Sequence, residues 1–503
     1  MGQIIKINDA PLQVIRTVND KLMSYNVEMT EVTGGTFWKA YTPEQIAGTE
    51  KFQVGDATDL ASSMANLMQV YPPIDLTNEK LRKLAKEFGP VWVRVSGTWA
   101  TKTYYDFEGT GVVPEGYQNR LTKEQWMGVI DFVKAIDAKL LISVANCEGL
   151  HTSDEPWNPS QAEKIFALTK ECGGTIDAVE FTNEPNMLDF TGFPPNYTAE
   201  NYVRDEDLFH RWVRDNYPGT LIVGPCNTGG VMGDSEKQNE FAGGGIELLM
   251  GNNASCDDLM RGAQEPLDVY SYHYYNGISE RLEMVMPTMH WSPDKILTEE
   301  YLNVAPLNCK LNTEYRDKYC PGGEMWVTES GDAGGGGNTW GSTYADVFRT
   351  LNELGTFATI TDGVIFHNTL ASSDYGFLKH GTFETRPNYY AVLLWNRIMG
   401  TTVYDTKEEI REGAHVFAHS RRDGKDGVAY CIINNSETEA TTVELPKAAE
   451  VYKLHADAIR ATVMKLNGKE LVLDENDNVP AMDPVVVEGT LTLEPATMAF
   501  VVL

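Results

Sequence analysis

Short runs of consecutive apolar residues alternate with stretches of helical periodicity over the first three quarters of this chain. Eight runs read as buried strands: Leu22–Met29, Val91–Gly97, Lys139–Asn146, Asp177–Pro185, Thr220–Pro225, Asp268–Tyr275, Glu324–Gly331 and Asp362–Asn368. Between them, apolar positions recur every three to four residues in Ala57–Val70, Asn78–Phe88, Lys123–Ala138, Ser160–Cys172, Tyr202–Asn216, Ser342–Leu354 and Tyr389–Ile398, which predicts helices. The alternation predicts an α/β fold, a (β/α)8 TIM barrel with long loops. A doubly wound sheet is the rival, and it would carry a phosphate-binding glycine loop after its first strand, where none is present.

After Gly400 the pattern changes. Val416–His419, Gly427–Asn434, Ala440–Leu445, Glu450–Leu454, Val485–Glu488 and Met498–Leu503 alternate with turn residues, which predicts a C-terminal β-sandwich domain. The expected division is a barrel over residues 20–400 and a sandwich over 401–503, joined by residues 1–19 through the strand Gln3–Ile7.

Composition narrows the function classes. With 42% hydrophobic and 10% aromatic residues the chain is a globular protein. Only 41 Lys+Arg stand against 72 Asp+Glu, a net charge of −31, which argues against nucleic acid as a partner and disfavours highly sulfated polymers. Seven scattered cysteines lack metal-ligand spacing and read as buried thiols, with Cys309 and Cys320 spaced to bridge across a loop. No segment is long and apolar enough to span a bilayer, and no signal core follows Met1, so the expected compartment is cytoplasmic, or secreted with the signal already removed. Nine histidines include no His-Glu-x-x-His or comparable cluster, so no metal and no cofactor is expected.

The chemistry concentrates in two glutamates. Glu184 closes Asp177-Ala-Val-Glu-Phe-Thr-Asn-Glu-Pro185, and Glu329 closes Glu324-Met-Trp-Val-Thr-Glu329, each where a buried strand breaks into a loop. A TIM barrel sets its catalytic groups at such strand tips. Two carboxylates about 5–5.5 Å apart suit a retaining glycosidase, one protonating the leaving oxygen and one attacking the sugar. The Asn183 amide is positioned to hydrogen-bond a sugar 2-hydroxyl. The plain alternative for each glutamate is a loop carboxylate that happens to follow a strand; their pairing on strands 4 and 7 speaks against it.

The motifs that carry these residues resemble glycoside hydrolase family 79, the β-glucuronidase and heparanase family. The similar stretches are Trp92-Val-Arg-Val-Ser-Gly-Thr98, Glu180-Phe-Thr-Asn-Glu-Pro-Asn186, Tyr270-Ser-Tyr-His-Tyr-Tyr-Asn-Gly277, Trp326-Val-Thr-Glu-Ser-Gly-Asp-Ala-Gly-Gly-Gly-Gly337, and Tyr375-Gly-Phe-Leu378 followed by Arg386-Pro-Asn-Tyr-Tyr390. The resemblance implies a retaining β-glucuronidase with Glu184 as acid/base and Glu329 as nucleophile. Arg94 is then expected to favour ionised Glu329, or alternatively to serve a buried structural ion pair. His273 and Tyr275 are expected to orient Glu329, or to be barrel filling.

Backbone N–H groups of a glycine run can form an anion-binding nest. In the family this loop and a tyrosine hold the uronic acid carboxylate, which implies Gly335, Gly336 and Tyr375 here. Glu28 matches an acidic position that contacts sugar hydroxyls, with Thr98 and Trp99 as further contacts, Trp99 by stacking. Lys379 is a candidate positive contact to the carboxylate, with a solvated loop lysine as the plain alternative. Gly334 stands where heparanase has a tyrosine, which reshapes that pocket wall. The expected substrate is a small-molecule or oligosaccharide glucuronide, without nucleic-acid or membrane partners. A barrel glycosidase acting on a neutral sugar, and a non-catalytic carbohydrate-binding barrel, are the rivals.

Overall fold

Eight parallel strands close into a barrel in the computed structural model, which describes residues 2–229 and 253–503. They are Met23–Glu28, Trp92–Ser96, Lys139–Ser143, Ala178–Glu180, Leu221–Asn227, Val269–Tyr275, Glu324–Gly331 and Ile365–His367. Each pairs with the next in sequence, and the eighth pairs with the first. The fold is a (β/α)8 TIM barrel followed by antiparallel sheets; each predicted strand run overlaps one barrel strand, and the fifth strand runs two residues past the predicted end at Pro225.

The lower barrel interior is apolar, filled by Trp92, Leu141, Ala178, Val223, Val269, Trp326 and Phe366. Trp92 and Trp326 meet with ring centroids 4.8 Å apart. Farther along the same strands, alternation brings polar side chains inward: Arg94 and Ser96, Ser143, Glu180, and Ser271 with His273, all buried. Buried polar groups demand partners, so this upper layer is where the barrel departs from simple packing.

Most predicted helices form on the barrel's outside. Lys123–Ala135 begins at a capping box of Thr122 and Gln125, and Ala199–Asn216 begins at Thr198. Two segments differ from the pattern. Within Ala57–Val70 the helix stops at Leu67, and Met68–Tyr71 instead pairs antiparallel with Gly35–Trp38, forming a two-stranded sheet. The helix Val304–Tyr319 has no counterpart in the apolar periodicity, because its buried face includes Asn308 and Asn312 and it contains Pro306.

The C-terminal strands form two sheets. A small sheet orders Ile4–Lys6, Thr441–Glu444 and Thr490–Leu493. A larger one starts from Gln13–Thr17 and runs through Met399–Asp405, His415–Arg421, Val428–Asn434, Thr497–Val502 and Ala449–His455. Alternation gives the larger sheet two apolar faces. Val416, Ala418, Tyr430, Ile432, Ala499 and Val501 pack toward the small sheet, whereas Phe417, Cys431, Ile433, Met498 and Phe500 join the core of the barrel helices. Gly355, inside helix Ala345–Ile360, permits this contact: a Cβ there would lie 2.3 Å from the Phe417 ring.

All seven cysteines are free, so Cys309 and Cys320 are separate buried thiols and do not bridge. Among the described residues no helix is long and apolar enough to cross a membrane.

Candidate active site

Glu184 and Glu329 meet at the C-terminal mouth of the barrel, both buried. The strand ladder that leads to Glu184 ends at Glu180, earlier than the predicted Pro185, and residues 181–185 rise as irregular chain. Glu184 itself adopts a left-handed backbone with φ 48°, a strain of about 1–3 kcal/mol for a non-glycine residue. The Thr191 hydroxyl and the Met187 N–H hold its carbonyl at 2.8 and 3.1 Å. Glu329 lies on strand 7 opposite His273, where the register with strand 6 shifts between Tyr272 and His273. Such an irregularity re-aims a side chain.

Three side chains fix the acidic pair. Arg94 Nη1 donates to Glu329 Oε1 at 3.0 Å, and the Tyr275 hydroxyl donates to Glu329 Oε2 at 2.7 Å. His273 differs from expectation: its Nδ1 lies 2.9 Å from Glu184 Oε1 but 3.6 Å from Glu329 Oε2. Only the first is a hydrogen-bond distance, so His273 orients Glu184. His273 Nε2 also lies 3.4 Å from Arg94 Nη2.

Arg94 is both of the things that its sequence position allowed. It touches Glu329, and it also forms a fully buried ion pair with Glu180, with Nη2 to Oε1 at 2.6 Å and Nε to both carboxylate oxygens at 3.1 Å. Its remaining contacts are Asn26 Oδ1 at 3.3 Å and Asn183 Oδ1 at 2.8 Å. The Asn183 oxygen is thereby occupied, and its amide N–H groups are the part left for a ligand. Burial pushes the Glu329 carboxyl up, but His273, Arg94 and the Tyr275 hydroxyl together outweigh it, and its pKa lies below the ordinary value. Burial, together with Glu329 and Glu31, pushes Glu28 well up. Burial likewise holds the Tyr275 and Tyr375 phenols in their neutral form, well above their usual pKa.

The rest of the mouth follows from close contacts. Asn368 Nδ2 donates to both Tyr275 Oη and Tyr375 Oη, at 2.9 and 3.1 Å, and the two rings stack at 6.4 Å. Gly335 and Gly336 have φ of 84° and 88°, the left-handed region that favours glycine. A Cβ on Gly336 would lie 2.7 Å from Trp38, so the loop also needs glycine for close approach. Glu28 lies against Gly97 and beside Glu329. Thr98 and Trp99 are half-buried, and Trp99 packs edge-on against Phe37 at 5.6 Å. Lys379 lies elsewhere: it is an exposed loop residue whose ammonium is 3.3 Å from Glu384, so the solvated reading holds and it drops out of the carboxylate contacts.

Sequence reading missed Glu180, Asn368 and Trp38. Glu180 shares the inward parity of Glu184, and that alternation was the available signal. Trp38 lies on a strand whose partner, Met68–Tyr71, overlaps the end of a predicted helix. Among the described residues, Glu184, His273 and Glu329 are also a set whose potential ligand atoms lie within 4.8 Å of one another. A divalent ion there would face the Arg94 guanidinium that already donates to Glu329, an unfavourable juxtaposition of charge.

No family model matches the chain. The resemblance to glycoside hydrolase family 79 is nevertheless carried by nearly the whole sequence. Heparanase-like protein 1 of Arabidopsis thaliana is 24% identical over 489 residues, covering 86% of this chain and 85% of that protein. Baicalin-β-D-glucuronidase of Scutellaria baicalensis is 24% identical over 472 residues, covering 85% and 82%. Among solved structures, the 4-O-α-L-rhamnosyl-β-D-glucuronidase of Fusarium oxysporum 12S aligns over 99% of this chain and 100% of its own, with a TM-score of 0.64 at 12% identity, a likeness of fold.

Proposed function

We propose that the protein is a retaining glycoside hydrolase that cleaves β-D-glucuronides. The observation that carries this reading is the buried acidic pair: Glu184 and Glu329 present oxygens within 4.8 Å of each other, each bonded to a different partner. A separation of about 5–5.5 Å between carboxyl groups suits attack by one and protonation by the other.

In this mechanism Glu329, kept ionised by Arg94 and Tyr275, attacks the anomeric carbon. Glu184 protonates the departing glycosidic oxygen. Water then attacks the anomeric carbon as Glu184 removes its proton, and the bond to Glu329 breaks to release the sugar and regenerate the carboxylate. Asn183 holds the 2-hydroxyl through its free amide N–H groups. Glu28, Thr98 and Trp99 contact the remaining hydroxyls.

Specificity for a uronate is supported by the neutral donors of Gly335, Gly336 and Tyr375, which bind a carboxylate without a cation that would also compensate Glu329. The relatives named as glucuronidases agree with it. The net charge of −31 favours small aglycones or short saccharides over sulfated chains.

Turnover of aryl β-glucuronide, β-glucoside and β-galactoside by the wild type and by Glu329→Gln tests the proposal. The glucuronide is expected to be cleaved fastest, with the anomeric configuration retained, and Glu329→Gln to abolish turnover. Faster hydrolysis of the glucoside would sink the uronate assignment, and faster cleavage of heparan sulfate than of the aryl glucuronide would sink the aglycone preference.

A further inference from the structure

The glycine loop is held from behind by a buried arginine. Arg281 is 1% exposed. Its Nη1 donates to the carbonyls of Gly335 and Gly337 at 3.3 and 2.8 Å, and its Nη2 donates to Lys39 O at 2.8 Å and Asp374 Oδ2 at 2.5 Å. The guanidinium lies 3.7 Å over the Tyr41 ring, whose hydroxyl also donates to Gly337 O at 3.0 Å. Ser279 completes the grip: its N–H donates to Gly334 O at 2.9 Å and its hydroxyl to Gly335 O at 2.9 Å.

These anchors fix the direction of the loop's donors. In a trans peptide the N–H points opposite to the carbonyl of the preceding residue. With Gly334 O and Gly335 O drawn onto Ser279 and Arg281, the N–H groups of Gly335 and Gly336 face away from residues 279–281. The neighbouring N–H groups are occupied internally: Gly334 N donates to Gly277 O, Gly337 N to Ala333 O and Asn338 N to Asp332 Oδ2. Two adjacent donors presented from left-handed glycines form a concave anion site. The cation behind the peptide also polarises it, because hydrogen bonds in a chain strengthen one another. Asp374 neutralises that cation, so little net charge reaches Glu329.

We propose that Arg281 is a positioning residue for uronate recognition: it aims the Gly335 and Gly336 donors at the substrate carboxylate without touching the substrate. The proposal rests on the glucuronidase reading. Lysine cannot replace it, since a planar fork holds carbonyls that a single ammonium cannot reach together.

The test compares kcat and KM for p-nitrophenyl β-glucuronide and β-glucoside in wild type, Arg281→Lys, Arg281→Met and Tyr41→Phe, with melting temperatures alongside. For both Arg281 variants the glucuronide-to-glucoside ratio of kcat/KM is expected to fall by about tenfold or more, chiefly through KM for the glucuronide. Tyr41→Phe keeps the ring under the guanidinium and is expected to shift the ratio in the same direction by about threefold. A lowered melting temperature with an unchanged ratio would reduce Arg281 to a structural brace and overturn the proposal. If the Arg281 variants do not fold, an unchanged ratio in Tyr41→Phe overturns it. A wild type that does not prefer the glucuronide would be a separate failure, that of the functional reading, and the proposal would fall with it.

Discussion

Tyr275→Phe isolates the hydrogen bond that most directly sets the charge on Glu329. The substitution removes one hydroxyl, 2.7 Å from Glu329 Oε2, and keeps the ring that stacks on Tyr375 and lies 3.2 Å from a Cβ built on Gly331. That hydroxyl favours the ionised carboxylate, so its loss raises the Glu329 pKa. A hydrogen bond to a charged group contributes about 1.5–3 kcal/mol, and one pKa unit corresponds to about 1.4 kcal/mol. Arg94 and the neighbouring His273 remain, so the expected rise is about one unit. Glu329 is depressed in the wild type and must be ionised to attack, so activity is present above its pKa and is lost as pH falls through it. The acid limb of the kcat/KM profile for an aryl glucuronide reports the free enzyme, and in Tyr275→Phe it moves to higher pH by about that unit. Circular dichroism at each pH separates titration from acid unfolding. An acid limb that stays in place while the plateau rate drops would show that Tyr275 acts on the substrate and not on Glu329, and the electrostatic account would be wrong.

Other perturbations test separate links. Glu184→Ala should lower turnover of glucuronides with poorly acidic leaving groups by about 10²–10⁴-fold, and affect a highly activated aryl glucuronide far less, in a leaving-group series. Arg94→Met strands Glu180 as a buried unpaired carboxylate and should destabilise the fold by about 3–5 kcal/mol in denaturant unfolding; the double variant Arg94→Met/Glu180→Gln should recover part of that loss. Gly355→Val forces a side chain into Phe417 and should cost about 1–3 kcal/mol by the same measurement while leaving glucuronide specificity intact. Lys379→Ala should leave kcat/KM within about twofold, because the lysine is an exposed partner of Glu384.

Local pattern was enough for the barrel strands because each is a short β-forming run, buried on both faces and bounded by turn residues, a signal independent of its neighbours. It failed at Val304–Tyr319, where buried asparagines interrupt the apolar period, and at Met68–Tyr71, where pairing with Gly35–Trp38 overrides a helical spacing. Glu184 and Glu329 were legible because each closes a β-rich run beside Pro185 or Ser330-Gly331, although the ladder before Glu184 ends at Glu180. The free amide of Asn183 and the neighbourhood of Glu28 were readable only as residue types, and Lys379, open in sequence between a carboxylate contact and a solvated loop lysine, pairs at the surface with Glu384.

The sequence by itself determined the alternation of strands and helices, the two glutamates where β-rich runs break and the glycine run, since these depend on period and on chemistry within a few residues. Only the tertiary structure decided which groups meet: His273 on Glu184 instead of Glu329, Arg94 divided between Glu180 and Glu329, and Arg281 behind the glycine loop. Those contacts join strands 2, 4, 6 and 7 or loops far apart in the chain, and barrel closure and a register shift between two strands fix them to fractions of an ångström, a scale that residue order does not encode locally.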